Sequence, residues 1–203
     1  MPYPWPFTDE RDADMEPGLW DRVHPSWKAL EVARSAESRE EARARLLPRF
    51  DVPSEVLEQW ICAHYFNHET LSNYAWIDFD RARFEMEQWS TSTILQLRVI
   101  GAYQSFVEDR STADWSLAES KPFFAPGSGG LEAWRDEGTW RVPPVAIDPA
   151  GFGSPPAEAD LSAAPQLVEG HSRFGHLRRF FRLGAASGVG VADEHRLYVL
   201  RAR

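Results

Sequence analysis

The sequence predicts an α+β protein, an N-terminal helical part packed on a small α/β domain. Three observations carry this reading. Up to about residue 113 the chain is rich in helix formers, with apolar residues at helical spacing. A Pro- and Gly-rich break, SKPFFAPGSGG, follows at residues 120–130. Beyond it, short apolar runs alternate with glycine-punctuated helical stretches. The expected division is 1–113 for the helical part and 114–203 for the smaller domain.

The elements follow in order. Residues 1–18 carry four prolines and many charges and read as an irregular arm. Residues 26–47 read as a helix with Ser26 as N-cap and Pro48 as its stop. A second helix is expected from Ser54 as cap through about Tyr74, because Leu57, Trp60, Ile61, His64, Tyr65, His68 and Leu71 recur at helical spacing. Residues 80–107 read as a third helix. Its apolar residues Phe84, Trp89, Leu95, Leu97, Ile100, Tyr103 and Phe106 do not share one stripe, so burial on much of its circumference is expected. In the second part, residues 131–137 predict a short helix ending at Gly138. Residues 139–148 predict a strand interrupted at its start by a proline pair, and 150–165 a loop. Leu167–Val168 predicts a strand, 172–183 a helix, 184–190 a turn and 196–201 a terminal strand.

Composition narrows the function classes. At 203 residues the chain can bury a core without disulfides, and its one cysteine, Cys62, permits no internal disulfide. No signal-peptide pattern and no membrane-length apolar run is evident, so a cytoplasmic location without membrane contact is expected. The net charge of −9 argues against nonspecific nucleic-acid binding and against a nuclease. That charge is uneven. Residues 1–113 hold 12 Lys/Arg against 20 Asp/Glu, whereas 170–203 hold seven Arg against two acids. His64 and His68 stand at i,i+4, but Cys62 faces away from them and no convergent metal set emerges.

The chemistry concentrates in QLVEGHSRFGHLRRFFRLG, residues 166–184. A strand that turns through Gly170 into a helix N-terminus presents unpaired backbone N–H groups and the positive end of the helix dipole to an anion. Gly170 allows close backbone approach, and Arg173 is suited to bidentate pairing with phosphate. Ser172 caps the helix or touches phosphate. His171 is a candidate general acid–base near neutral pH. Arg178, Arg179 and Arg182 read as a solvated face near the helix C-terminus, and His176 as structural.

From about residue 116 onward the order of features resembles the ParB/sulfiredoxin superfamily. Residues 131–138 resemble its short helix ending in glycine. Pro143-Pro144-Val145-Ala146-Ile147 resembles its proline-led strand. Glu169-Gly170-His171-Ser172-Arg173, followed by a helix ending at Gly184, resembles its phosphate-holding element. The resemblance implies a nucleotide, ATP by default, held by Gly170, His171, Ser172 and Arg173. It implies Mg2+ on the phosphates and phosphoryl transfer, with His171 assisting and Glu119 or Glu169 as the acid. Sulfiredoxins carry a reactive cysteine where this chain has His171, so sulfinic-acid reduction is not expected. Chromosome-partitioning members have a second arginine where this chain has Phe174. The Gly-His-His-Arg loop of small-molecule kinases in the superfamily is nearest to Gly170-His171-Ser172-Arg173. The alternative is a non-enzymatic interaction or regulatory protein that keeps the fold and offers its acidic helical part to a protein partner.

Overall fold

The computed structural model describes residues 18–34, 41, 44, 50–124 and 127–203. The arm expected over 1–18 and the helix stop expected at Pro48 lie outside them, apart from Gly18. Helix α1, Pro25–Arg34, begins one residue before the expected cap, with proline in the first turn where its missing N–H costs nothing. Ser26 is therefore not an N-cap. It is buried inside α1, where its Oγ accepts from the Phe79 N–H at 2.9 Å and donates to the Ile77 carbonyl at 3.3 Å. Glu41 and Ala44 are helical as well.

The second expected helix divides in two. Helix α2 covers residues 54–64, with a π-helical stretch Leu57–Ile61 between α-helical turns Ser54–Val56 and Cys62–His64. Pro53 sits at its N-cap without a side-chain bond, so Ser54 does not cap it. Helix α3, His68–Tyr74, starts afresh at Asn67, whose backbone is extended and whose Oδ1 accepts from the Thr70 N–H at 3.1 Å. An asparagine offering its carbonyl to an orphan N–H begins a helix more favourably than it continues one.

The helix expected over 80–107 is overturned. Residues 82–90 form strand β1, Ala82–Ser90, followed by a short helix α4, Thr91–Ile94, and then α5, Gly101–Thr112. The period here is two. Arg83, Glu85, Glu87 and Trp89 share one face, and Ala82, Phe84, Met86 and Gln88 share the other. The apolar residues refused a single helical stripe because the stretch is not one helix. Ser90 ends the strand and caps α4, its Oγ accepting from the Thr93 N–H at 3.2 Å.

The second part matches its expected order. Helix α6, Gly130–Glu137, closes at Gly138. Strand β2, Val145–Ile147, lies between loops, and β3 is Gln166–Glu169. Helix α7 is His171–Leu183, and β4, Glu194–Ala202, ends the sheet. Strand order is β1-β4-β2-β3. β1 pairs antiparallel with β4 from Ala82↔Ala202 to Ser90↔Glu194, β4 runs parallel to β2, and β3 returns antiparallel beside β2. A strand from the first 113 residues thus completes a sheet whose other strands come from the second part.

Each sheet face carries its own core. On one, Val145, Ile147, Val168, Tyr198 and Leu200 pack against Trp27, Trp60, Tyr65 and Phe79 from the N-terminal helical segments. On the other, Ala146, Leu167, Leu197 and Val199 pack against Phe174, Leu177 and Phe180 of α7 and against Trp134 and Trp140. The sheet is therefore a middle layer between two sets of helices. Helix α5 packs along α7 through Gly175, where a Cβ would meet Arg110 Cβ at 2.7 Å and the Val107 carbonyl oxygen at 3.3 Å. Close approach of the two helices at this point requires glycine.

Candidate functional site

The β3–α7 turn stands at the mouth of a cavity of about 400 Å³ lined by His64, Tyr103, Phe106, Glu169, Gly170, His171, Ser172 and Arg173. That size falls within the usual range for a small-molecule site. Gly170 makes the turn possible. Its φ is 101°, and a Cβ there would meet Pro144 Cβ at 2.6 Å and Arg173 Nη2 at 3.0 Å. Any L side chain would be strained twice over, by the backbone and by the neighbours. Gly170 is the N-cap of α7 and supplies no side-chain cap, so the helix end is left to its dipole and to whatever occupies the cavity.

Glu169 and His64 form the polar wall. His64 Nε2 lies 3.3 Å from Glu169 Oε2, and Arg173 Nη2 lies 3.8 Å from Glu169 Oε1. Burial alone would push the Glu169 carboxyl up. The hydrogen bond from His64, together with the electrostatic influence of His64, Arg173 and His171, outweighs it, so Glu169 titrates below the usual carboxylate range. Glu169 is thus an anion at neutral pH, beside the Arg173 guanidinium. From the sequence, His64 stands in the helical periodicity of residues 57–71 and in an i,i+4 pair with His68. The break at residues 65–67 separates the two, and His68 Nδ1 instead faces Glu69 at 3.7 Å.

His171 is buried, 8% exposed, and its Nε2 has no hydrogen-bond partner. Its ring tilts against Tyr103 with centroids 4.4 Å apart. Burial pulls the imidazole down to about 4; Glu169 opposes this, and His64 and Arg173 add to it. A neutral imidazole at physiological pH offers one donor and one acceptor, which suits it to a polar ligand atom or a proton.

Arg173 and Ser172 are engaged by the protein itself. Arg173 Nη1 donates to the Val142 carbonyl at 3.1 Å, and Nη2 to Gln59 Oε1 at 2.5 Å. Ser172 Oγ accepts from Arg110 Nε at 3.1 Å, and the Arg110 guanidinium stacks over Phe106, 3.5 Å from the ring centroid. Gln59, Arg110, Tyr103 and Phe106 are contributors that no local pattern marked, because they come from α2 and α5.

Glu119, a candidate acid in the sequence reading, does not line the cavity. It is exposed and accepts from the Ser116 N–H at 2.8 Å and the Ser116 Oγ at 2.7 Å. These bonds hold its carboxyl below the usual range. It closes a local turn next to Ser120, which contacts Arg179 two turns further along α7. Of the α7 arginines expected on a solvated face, Arg178 and Arg182 are 40% and 44% exposed, and only Arg179 departs from that reading. Arg182 donates to the carbonyls of Ser111, Thr112 and Ala113 and so caps the C-terminus of α5. Arg179 is fully buried.

The loop 150–165 is irregular, as expected, and is pinned by Asp160. Asp160 pairs with Arg98, accepts from the Gly101 N–H at 2.6 Å, and donates its own N–H to Asn73 Oδ1 at 2.7 Å. It borders a separate cavity with His68, Glu69 and Ala102 rather than the one at the β3–α7 turn. No described helix is long and apolar enough to cross a membrane. No protein-family model, curated protein or solved structure matches this chain.

Proposed function

We propose that the protein binds a nucleotide in the cavity at the N-terminus of α7 and uses it for phosphoryl transfer. The observation that carries this reading is the convergence of three features on one cavity wall: an uncapped helix start at Gly170, the buried unpartnered Nε2 of His171, and Arg173. Helix start and guanidinium favour a phosphate. Tyr103 and Phe106 give an aromatic wall for a base. ATP is the default nucleotide on the resemblance to the ParB/sulfiredoxin superfamily.

In this reading Glu169, kept ionised by His64 and Arg173, takes the proton of an acceptor hydroxyl. The acceptor oxygen bonds to the γ-phosphorus as the bond to the β–γ bridging oxygen breaks and ADP leaves. His171 donates a neutral N–H to a phosphoryl oxygen. Among the described residues Glu169 is the only carboxylate on the cavity wall, and it is already paired with His64. The described residues therefore offer no dedicated magnesium cage, and a magnesium ion would arrive on the phosphates.

A second reading has its own observation. Arg173 is held by Gln59 and Val142, and Ser172 by Arg110, so the turn is partly satisfied by its own protein. That is the state expected of an interaction protein that keeps the architecture without the chemistry. One experiment separates the two readings. Calorimetric titration of ATP, CTP, GTP and ADP with magnesium into wild type should give saturable binding, and Arg173→Ala should abolish it. Silence with every nucleotide, or undiminished affinity in the variant, overturns the nucleotide reading and leaves the interaction protein.

A further inference from the structure

Away from the candidate cavity, α7 turns two more polar side chains inward. His176 is 2% exposed and Arg179 is fully buried. At i and i+3 they lie on one face of the helix. Arg179 Nη2 donates to Ser120 Oγ at 2.6 Å. Its Nε and Nη1, and both ring nitrogens of His176, are buried without a hydrogen-bond partner.

The charge is as unmatched as the donors. Arg178 has Glu108 at 3.6 Å and Arg182 has Asp114 at 3.0 Å, but among the described residues Arg179 has no carboxylate in ion-pair range. The charged groups acting on it, Arg182 and Arg110, are both positive. A guanidinium stays protonated even here. Its partners of opposite sign are ring faces: Phe180 with its centroid 4.8 Å away and Trp115 at 5.8 Å. Such contacts recover less than an uncompensated buried ion loses on leaving water.

We propose that Arg179 and His176 form an internal site for a small monovalent anion of the halide or carboxylate class, with Ser120 positioning the guanidinium, since its Oγ accepts from Arg179 and donates to the Ser116 carbonyl at 2.8 Å. One fixed positive charge calls for one negative charge, and a dianion would leave a buried excess. Water could satisfy the donors but not the charge. Burial, with Arg179 and Arg110 adding to it, pulls the His176 imidazole down to about 3, so it contributes a neutral N–H. Between Arg179 and the surface, Trp115 stacks on Phe123 with ring centroids 4.5 Å apart, and the two are 39% and 44% exposed.

The test uses the full chain. Thermal unfolding is followed while bromide or formate replaces isethionate at constant ionic strength. Isethionate is too large for a buried site. The melting temperature should rise saturably with bromide and formate in wild type, rise less in Ser120→Ala, and not respond in Arg179→Met. In crystals soaked in bromide, an anomalous peak should lie within hydrogen-bond distance of Arg179 Nε or Nη1. Equal responses to all three anions, an undiminished response in Arg179→Met, or a water there instead of bromide overturns the proposal. So does a peak without a saturable shift, which would mark an adventitious ion only. Should Arg179→Met not fold, the wild-type crystal and titration decide between these outcomes.

Discussion

Three histidines set the acid limit of this fold. Burial holds His171 and His195 down to about 4 and His176 to about 3, against 6.5 for an ordinary imidazole. His195 bridges two hydroxyls, Thr139 Oγ1 at 2.7 Å and Thr91 Oγ1 at 2.9 Å, and so ties α4 and the segment after α6 to β4. Because each folded pKa lies below 6.5, the unfolded chain binds more protons than the folded one through this window. Stability is full above about pH 6.5 and falls as pH drops towards 4, by up to about 1.4 kcal/mol per pH unit for each histidine. The lowered carboxyls of Glu169 and Asp160 act only below their ordinary 4.5 and 3.8. Urea unfolding between pH 5 and 6.5 therefore isolates the histidines, and His195→Gln should flatten the slope. An unchanged slope in that variant would mean that His195 titrates normally. At this scale the candidate site was half legible. Gly170, His171 and Arg173 sit on one turn and could be read together. Their partners His64, Gln59 and Tyr103 come from distant segments, and no local spacing brings them there.

At the level of elements, helix ends are held by residues remote in sequence. The N-terminus of α5 has no side-chain cap of its own at Ile100. Asp160 supplies one from the irregular 150–165 loop, where its Oδ2 accepts from the Gly101 N–H at 2.6 Å while Oδ1 pairs with Arg98. The opposite end of α5 is closed by Arg182 of α7. Removing the first of these, Asp160→Ala, should cost about 1–2 kcal/mol, mostly from the cap, because the partly exposed Arg98 pair adds little. Asp160→Asn should recover part of the loss, since asparagine is also a good cap. The denaturation midpoint should shift while the m-value stays constant. A stability loss in Asp160→Asn equal to that in Asp160→Ala would show that charge, not capping, is what Asp160 provides. The elements after residue 130 were legible because glycines and prolines punctuate them. Strand β1 was not. Its residues Arg83, Glu85 and Glu87 are good helix formers, and their partners belong to an extended chain: Arg83 pairs with Glu85 two residues on, and Arg201 of β4 meets Glu85 and Glu87 across the strand pair.

The whole molecule is joined across the composition break that the sequence displays at residues 120–130. β1 covers β4 along nine residue pairs. Trp27 and Trp60 from the N-terminal helices pack in the same core as Val145, Ile147 and Leu200. α5 lies along α7, and its Tyr103 and Phe106 complete the candidate cavity. A chain cut after residue 113 would leave β4 without its antiparallel neighbour and one sheet face stripped of its large aromatics. Sheets with a bare hydrophobic face and an open edge do not persist in water. The 114–203 fragment alone should therefore lack a cooperative unfolding transition and should aggregate, whereas co-expression with 1–113 should restore a soluble heterodimer. The intact chain should unfold in a single transition whether followed by tryptophan fluorescence, from cores on both sheet faces, or by far-ultraviolet circular dichroism. An autonomous, cooperatively folding 114–203 fragment would show that the break in composition is also a break in structure. The candidate cavity would then lie between two units able to move apart, not within one cooperative core, and nucleotide affinity would depend on their docking.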